Sequence, residues 1–303
     1  MKWEGNRQSE NVEDRRDQAA GGGGGGGGFR MGGGRGIGFG TIVIALIAGW
    51  IFGINPMTVL GILGGGGGEM APQVQQQPAK RPPKDDAMAS MVGTVLADTE
   101  DVWGEIFKQA GAQYPNPKLE LFRGQTRTAC GAGQAAMGPF YCPADRKVYI
   151  DLSFYETMKN KLGAPGDFAQ AYVIAHEVGH HVQNVLGTSG KVDAMRGKIS
   201  EREQNQLSVR LELQADCYAG VWAHHTQKKY AAQGKQWLEK GDIEEAMNAA
   251  QQIGDDALQQ KSQGRIVPDS FTHGTSQQRM RWFNQGIQTG NIKSCDTFSA
   301  RQL

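Results

Sequence analysis

Asp167-Phe168-Ala169-Gln170-Ala171-Tyr172-Val173-Ile174-Ala175-His176-Glu177-Val178-Gly179-His180-His181-Val182-Gln183-Asn184-Val185-Leu186 decides how this chain is read. Apolar residues recur through it at three- and four-residue spacing, which predicts a helix over Phe168–Leu186. Pro165-Gly166 announce it, Asp167 is the candidate N-cap and Gly187 ends it. His176 and His180 then share one face, a turn apart. Two neutral imidazoles so placed can bind one tetrahedral Zn2+. Glu177 lies about 100° around the helix from His176, where it can reach a metal-bound water without being a ligand. Zinc lowers the pKa of such a water to about 7, and a carboxylate base completes its activation. Gly179 lets the helix pass close to another backbone or to a substrate. The competing reading is a structural histidine pair with local hydrogen bonds.

Catalytic zinc usually takes three protein ligands and keeps one position open. Glu212-Leu213-Gln214-Ala215-Asp216 lies on a second predicted helix, Ser200–His225. Glu212 is assigned as the third ligand, with Asp216 accepting a hydrogen bond from a ligand imidazole and fixing its tautomer. The reverse assignment is chemically possible. Leu211, Leu213, Ala215, Cys217, Tyr218 and Ala219 make the surroundings apolar, where two carboxylates need a partner such as a metal. The site expectation is one Zn2+ per chain on His176, His180 and Glu212, with Glu177 as base. His181 points away from His180. His224 and His225 fall at the predicted end of their helix, where a C-terminal dipole role is the default. His273, in Phe271-Thr272-His273-Gly274-Thr275 ahead of Arg279 and Arg281, is a catalytic candidate that could donate to the oxyanion of a tetrahedral intermediate. A structural role for His273 fits the same residues.

The chain has 303 residues, with 32 Lys+Arg against 31 Asp+Glu, so charge makes no case for a nucleic-acid partner. Many of its glycines sit in two tracts, Gly21–Gly28 and Gly64–Gly68. Residues 1–36 are polar and glycine-rich and are expected to be a disordered cytoplasmic head. Residues 37–63 are almost free of charge and long enough for one membrane-spanning helix, which takes roughly 20 apolar residues. Residues 64–86 form a Gly-, Pro- and Gln-rich linker. Arg30 and Arg35 before the span favour a cytoplasmic N-terminus, although Lys80, Arg81 and Lys84 partly oppose it. The expected location is a single pass through the cell (inner) membrane, with the 87–303 domain periplasmic or extracellular.

Within that domain a long amphipathic helix is predicted from Asp85-Asp86 to a cap at Gly111. Lys118–Phe122 reads as a strand, and Pro139–Cys142 with Lys147–Phe154 as a hairpin. Later helices are predicted over Lys228–Lys240, Asp242–Gln263 and Thr275–Gly286. The fold class is therefore α+β, mostly helical, with a small sheet ahead of the key helix.

These residues carry a resemblance. His176–His180 with Glu212–Asp216 is similar to Glu-zincin peptidases whose second motif is Glu-x-x-Ala-Asp, such as membrane heat-shock zinc proteases and prenyl-protein proteases. More closely, the chain resembles the bacterial family described as "putative neutral zinc metallopeptidase". The matching stretches are Tyr141–Asp145, Val148–Leu152, Ala175–Gln183, Glu212–Tyr218, Gly254-Asp255-Asp256 and Pro268–Thr275 with Gln278-Arg279. The resemblance implies a zincin-like metallopeptidase domain and hydrolysis of a peptide or protein substrate. It names no particular substrate, and the oligomeric state is left open. It also strengthens an active-site role for His273.

Four cysteines allow three pairings, and an extracytoplasmic domain permits disulfides. Cys130 and Cys142 make the natural local pair, which leaves Cys217 with Cys295. Four free thiols are the alternative. Substrate is expected to lie extended beside an edge strand from Cys142–Phe154 or Ala129–Met137. A competing function is a zinc-containing binding or scaffold module without catalysis, which would need a fourth ligand from His273 or His224.

Overall fold

The computed structural model describes residues 1–18, 79–134 and 138–303. The expected membrane helix over 37–63 and both glycine tracts lie outside the described residues. Among the described residues no helix is long and apolar enough to cross a membrane.

Strand β1 is Val12–Asp14 and helix α1 is Ala87–Gln109. Asp86 caps α1 by accepting a hydrogen bond from the Ala89 amide. Strands β2 Lys118–Phe122, β3 Gln125–Thr128, β4 Gly131–Gln134, β5 Phe140–Cys142 and β6 Lys147–Asp151 follow. Helix α2, Ser153–Thr157, runs into a π-helical turn at Met158–Leu162. Then come α3 Asp167–Val185, α4 Thr188–Asp193, α5 Glu201–Ala232, α6 Asp242–Gln252, α7 Asp255–Gln263 and α8 Ser276–Thr289. A last 3-10 turn covers Ile292–Cys295.

The fold is α+β and mostly helical, with a four-stranded sheet in the order β1-β2-β6-β5. β1, β2 and β6 run parallel, and β5 pairs antiparallel to β6. Leu119, Leu121, Val148 and Ile150 alternate along β2 and β6 and are fully buried, so one sheet face belongs to the core. β3 and β4 form a separate hairpin; β4 falls within the expected Ala129–Met137 strand, whereas β3 has no counterpart in the sequence expectations. Of the two stretches expected to receive substrate, Cys142–Phe154 holds β6, which is paired on both sides, and Ala129–Met137 holds β4 of the separate hairpin. The edge strand beside β6 is β5, which ends at Cys142, where the first stretch begins.

Several boundaries differ from expectation. Asp167 is the first residue of α3 and makes no cap; its carboxylate instead accepts a hydrogen bond from the Met1 amino group at 2.9 Å. β6 stops at Asp151, whose side chain accepts from the Ser153 amide and turns the chain into α2. No break separates Ser200–His225 from Lys228: α5 continues through Ala232. The predicted helix over Asp242–Gln263 is two helices. At the break, a Cβ on Gly254 would lie 2.4 Å from the Ser276 amide nitrogen, so the turn exists to let α8 begin there.

The largest correction concerns the N-terminal head. Residues 1–18 are not disordered. β1 extends the sheet, Glu13 pairs with Lys118 and Lys147, and the Arg7 guanidinium donates to the Ala97 carbonyl and to Asp101. This segment has too little apolar surface to form a core of its own, but an open sheet edge supplies main-chain partners to any strand that fits it. Asp14 exchanges two backbone hydrogen bonds with Lys80, of 2.7 and 3.2 Å.

Helices α3 and α5 cross at Gly179. A Cβ there would stand 2.9 Å from the Ala215 carbonyl oxygen and 3.1 Å from its Cα. Backbone cannot yield as a side-chain tip can. Gly179→Ala is expected to cost about 1–3 kcal/mol, measurable by denaturant unfolding. An unchanged midpoint would mean that the helices can part at this crossing without cost.

Candidate metal centre

The close crossing of α3 and α5 brings the two sequence motifs together. His176, His180 and Glu212 offer ligand atoms that all lie within 4.8 Å of one another. Glu212 Oε2 is 3.2 Å from His176 Nε2, and Oε1 is 3.4 Å from His180 Nε2. Ligands at zinc bond lengths of about 2.0–2.2 Å in a tetrahedron stand about 3.3–3.6 Å apart. Each imidazole Nε2 therefore already stands about as far from a Glu212 oxygen as two ligands of one ion do.

Each imidazole is oriented by its other nitrogen. His176 Nδ1 is 2.8 Å from Asp216 Oδ1, and His180 Nδ1 is 2.9 Å from Gln183 Oε1. Both Nε2 atoms are thereby turned toward Glu212. Asp216 is completely buried, and its oxygens are taken up by His176, Arg279 and the Tyr172 hydroxyl. The cluster of atoms that could hold an ion therefore includes Glu212 and not Asp216, which hydrogen-bonds to one of the imidazoles instead. Arg279 grips Asp216 through Nε and Nη2, each at 2.9 Å, and its Nη2 also reaches the Tyr172 hydroxyl at 3.3 Å.

The electrostatics call for a cation. Burial works against the charged form of His176, yet Asp216 and Glu212 push its pKa up to about 10. Burial likewise opposes the carboxylate of Glu212, while His180 and His273 hold it well below the usual range. Burial opposes ionised Asp216 too, and Arg279 outweighs it. With both imidazoles neutral, as metal ligands must be, Glu177, Glu212 and Asp216 against Arg279 would leave two negative charges in excess, the charge that one divalent ion neutralises. Without an ion, protons on the imidazoles, whose pKa values Asp216 and Glu212 raise, take its place. Glu177 is 7% exposed, and burial raises its pKa, which leaves it a stronger base than an exposed glutamate. The residues present fit a zinc ion.

His273 sits in the loop between α7 and α8. Its Nδ1 is 3.2 Å from Asp255 Oδ1, while Asp255 Oδ2 accepts from the amides of Thr272, His273 and Gly274. Burial lowers its pKa, but the charges of Glu212 and Asp255 prevail and raise it. Its side chain is 41% exposed. His273 thus stands within electrostatic reach of the site with one face open.

The remaining histidines serve packing. His181 bridges the Pro115 carbonyl and the Tyr141 hydroxyl, and burial lowers its pKa to about 4. His224 and His225 lie within α5, not at its end, and face the carbonyls of Ile287 and Gly290. Cys130 is bonded to Cys142, and Cys217 to Cys295.

Gln183, Tyr172, Gln214 and Asp255 support this centre without having been singled out in the sequence. Tyr172 precedes His176 by one turn, and Gln183 follows His180 by three residues, so helical spacing alone placed both on the ligand face. No spacing rule reaches across the fold to pair Arg279 with Asp216.

A family model described as "Putative neutral zinc metallopeptidase" matches residues 1–298. The chain belongs to this family. It is 54% identical over 299 residues to "Uncharacterized protein YpfJ" of Escherichia coli strain K12, covering 98% of this chain and 99% of that one. It is 45% identical over 195 residues to "Uncharacterized protein Rv2575" of Mycobacterium tuberculosis strain H37Rv, covering 63% of this chain and 65% of that one. No solved structure matches the chain. The matched stretch includes residues 1–18 along with helices α3 and α5, in keeping with the place of β1 in the sheet.

Proposed function

We propose that this chain is a zinc-dependent metalloendopeptidase with a zincin-like active site. The observation that carries the reading is Glu212 facing the Nε2 atoms of both His176 and His180, with the buried Glu177 carboxylate beside them on α3. A zinc ion held by these three ligands would supply Lewis-acid polarisation of the scissile carbonyl and lower the pKa of a water. Glu177 takes the proton of the attacking water and passes it to the leaving amine. His273, oriented by Asp255, donates to the oxyanion that forms. Substrate lies extended along the β5 edge, where main-chain hydrogen bonds hold a peptide without regard to its side chains.

The alternative, a structural zinc module, needs a fourth protein ligand. Among the described residues the cluster at this site offers three. A buried carboxylate at Glu177 also has no use in a closed structural site. The compartment proposed is an oxidising one outside the cytoplasm, which two disulfides suit. Membrane attachment through residues 37–63 belongs to the proposal only in a form that keeps β1 with the domain.

The test uses the full chain, because a fragment starting near residue 85 would lack β1. Metal analysis is expected to find one zinc per chain. Cleavage of an unbiased peptide library is expected to disappear with a chelator and return with added zinc. Bound zinc with no cleavage of any peptide would favour the scaffold reading instead.

A further inference from the structure

His176 leans on a buried carboxylate, whereas His180 leans on a relay of two amides. Gln183 Oε1 faces His180 Nδ1 at 2.9 Å. Gln183 Nε2 donates to the Leu211 carbonyl at 2.7 Å and to Gln214 Oε1 at 3.2 Å. Gln214 Nε2 donates to the Cys295 carbonyl at 2.9 Å. The two amides and the far carbonyl are dry: Gln183 and Cys295 are 0% exposed and Gln214 is 6% exposed.

The direction of this relay is dictated from its far end. A backbone carbonyl only accepts, so the nitrogen of Gln214 must face Cys295 and its oxygen must face Gln183. Two acceptors, Leu211 O and Gln214 Oε1, then require the nitrogen of Gln183 on that side. Its oxygen is left for His180, and an oxygen there requires a proton on Nδ1. The lone pair of His180 is consequently on Nε2, the atom that faces Glu212. The disulfide from Cys217 on α5 holds Cys295 in place.

We infer that Gln183 and Gln214 are positioning residues that lock His180 in its metal-binding tautomer, with the disulfide-held Cys295 carbonyl setting the direction. This rests on the metal reading of the site. A neutral relay orients the ligand without adding a negative charge to a centre that already holds Glu177, Glu212 and Asp216. An unlocked imidazole would spend part of its time with the proton on Nε2, where it cannot bind metal.

The test is zinc and cobalt affinity of the full chain, measured by competition with a chromophoric chelator, for the wild type, Gln183→Met and Gln214→Met. Each variant is expected to bind about tenfold to a hundredfold more weakly. The visible spectrum of the cobalt-loaded Gln183→Met protein is expected to shift, since ligand geometry sets it. Gln259→Met removes another fully buried amide, one bonded to Ser270, and is expected to leave metal affinity unchanged. A wild type that binds no zinc would sink the metal reading itself. Wild-type binding with undiminished affinity in both relay variants would overturn the relay alone, as would losses confined to the stability of the metal-free protein. Should the variants fail to fold, nitrogen NMR of the zinc-loaded wild type decides. A protonated, slowly exchanging Nδ1 on His180 is expected, and metal on Nδ1 would refute the inference.

Discussion

The Glu177→Ala protein is expected to purify with one zinc per chain and to cleave peptide at least about 10²-fold more slowly than the wild type. The two halves of that result come from different atoms. Metal retention depends on His176, His180 and Glu212, none of which hydrogen-bonds to Glu177. Proton transfer depends on the carboxylate that alanine removes. Burial holds the pKa of Glu177 above that of an exposed glutamate, so the group is a competent base at neutral pH. Loss of zinc from Glu177→Ala would place the residue in the metal cage. Full activity on a confirmed substrate would remove it from the mechanism.

The largest effect on stability is expected at Arg279. Its guanidinium is 3% exposed and makes two hydrogen bonds to Asp216, which is fully buried. Arg279→Leu leaves that carboxylate charged in a dry interior with only imidazole and hydroxyl partners. Removing one member of such a pair costs about 3–5 kcal/mol. Urea unfolding at pH 7 measures it. Asp216 is held below its unfolded pKa of about 3.9, so its contribution is complete above that pH and is lost as the pH falls through the lower folded value. In Arg279→Leu that depression is relieved, so the gap between the variant and the wild type should narrow in acid. A constant gap across pH would mean that lost packing, not charge, sets the cost.

Much of this centre was legible from sequence because its parts are local. A four-residue histidine spacing and a four-residue carboxylate spacing each describe one face of one helix, and helical geometry follows from the chain alone. The first helix of the domain was legible for the same reason, with Asp86 at its start and Gly111 after its end. What escaped was non-local. The break at Gly254 answers to the start of α8 and not to any nearby residue. Asp167 looked like a cap by position, but its carboxylate is engaged by Met1, 166 residues away in sequence. The ordered head failed a composition rule that asks whether a segment can fold by itself, when the relevant question was whether another strand would receive it. Arg279 belongs with these, since an arginine on a helix has no sequence mark of burial.

The pairing of β1 has a consequence in counting. Asp14 and Lys80 are hydrogen-bonded neighbours, so everything between them leaves from one place and comes back to it. A closed excursion crosses any surface an even number of times. Residues 1–18 and 79–303, joined by that pairing, therefore share one side of any membrane the chain meets. Reporter tags placed at residue 1 and at residue 303 are expected to be digested, or protected, together when protease is added to one side of the membrane.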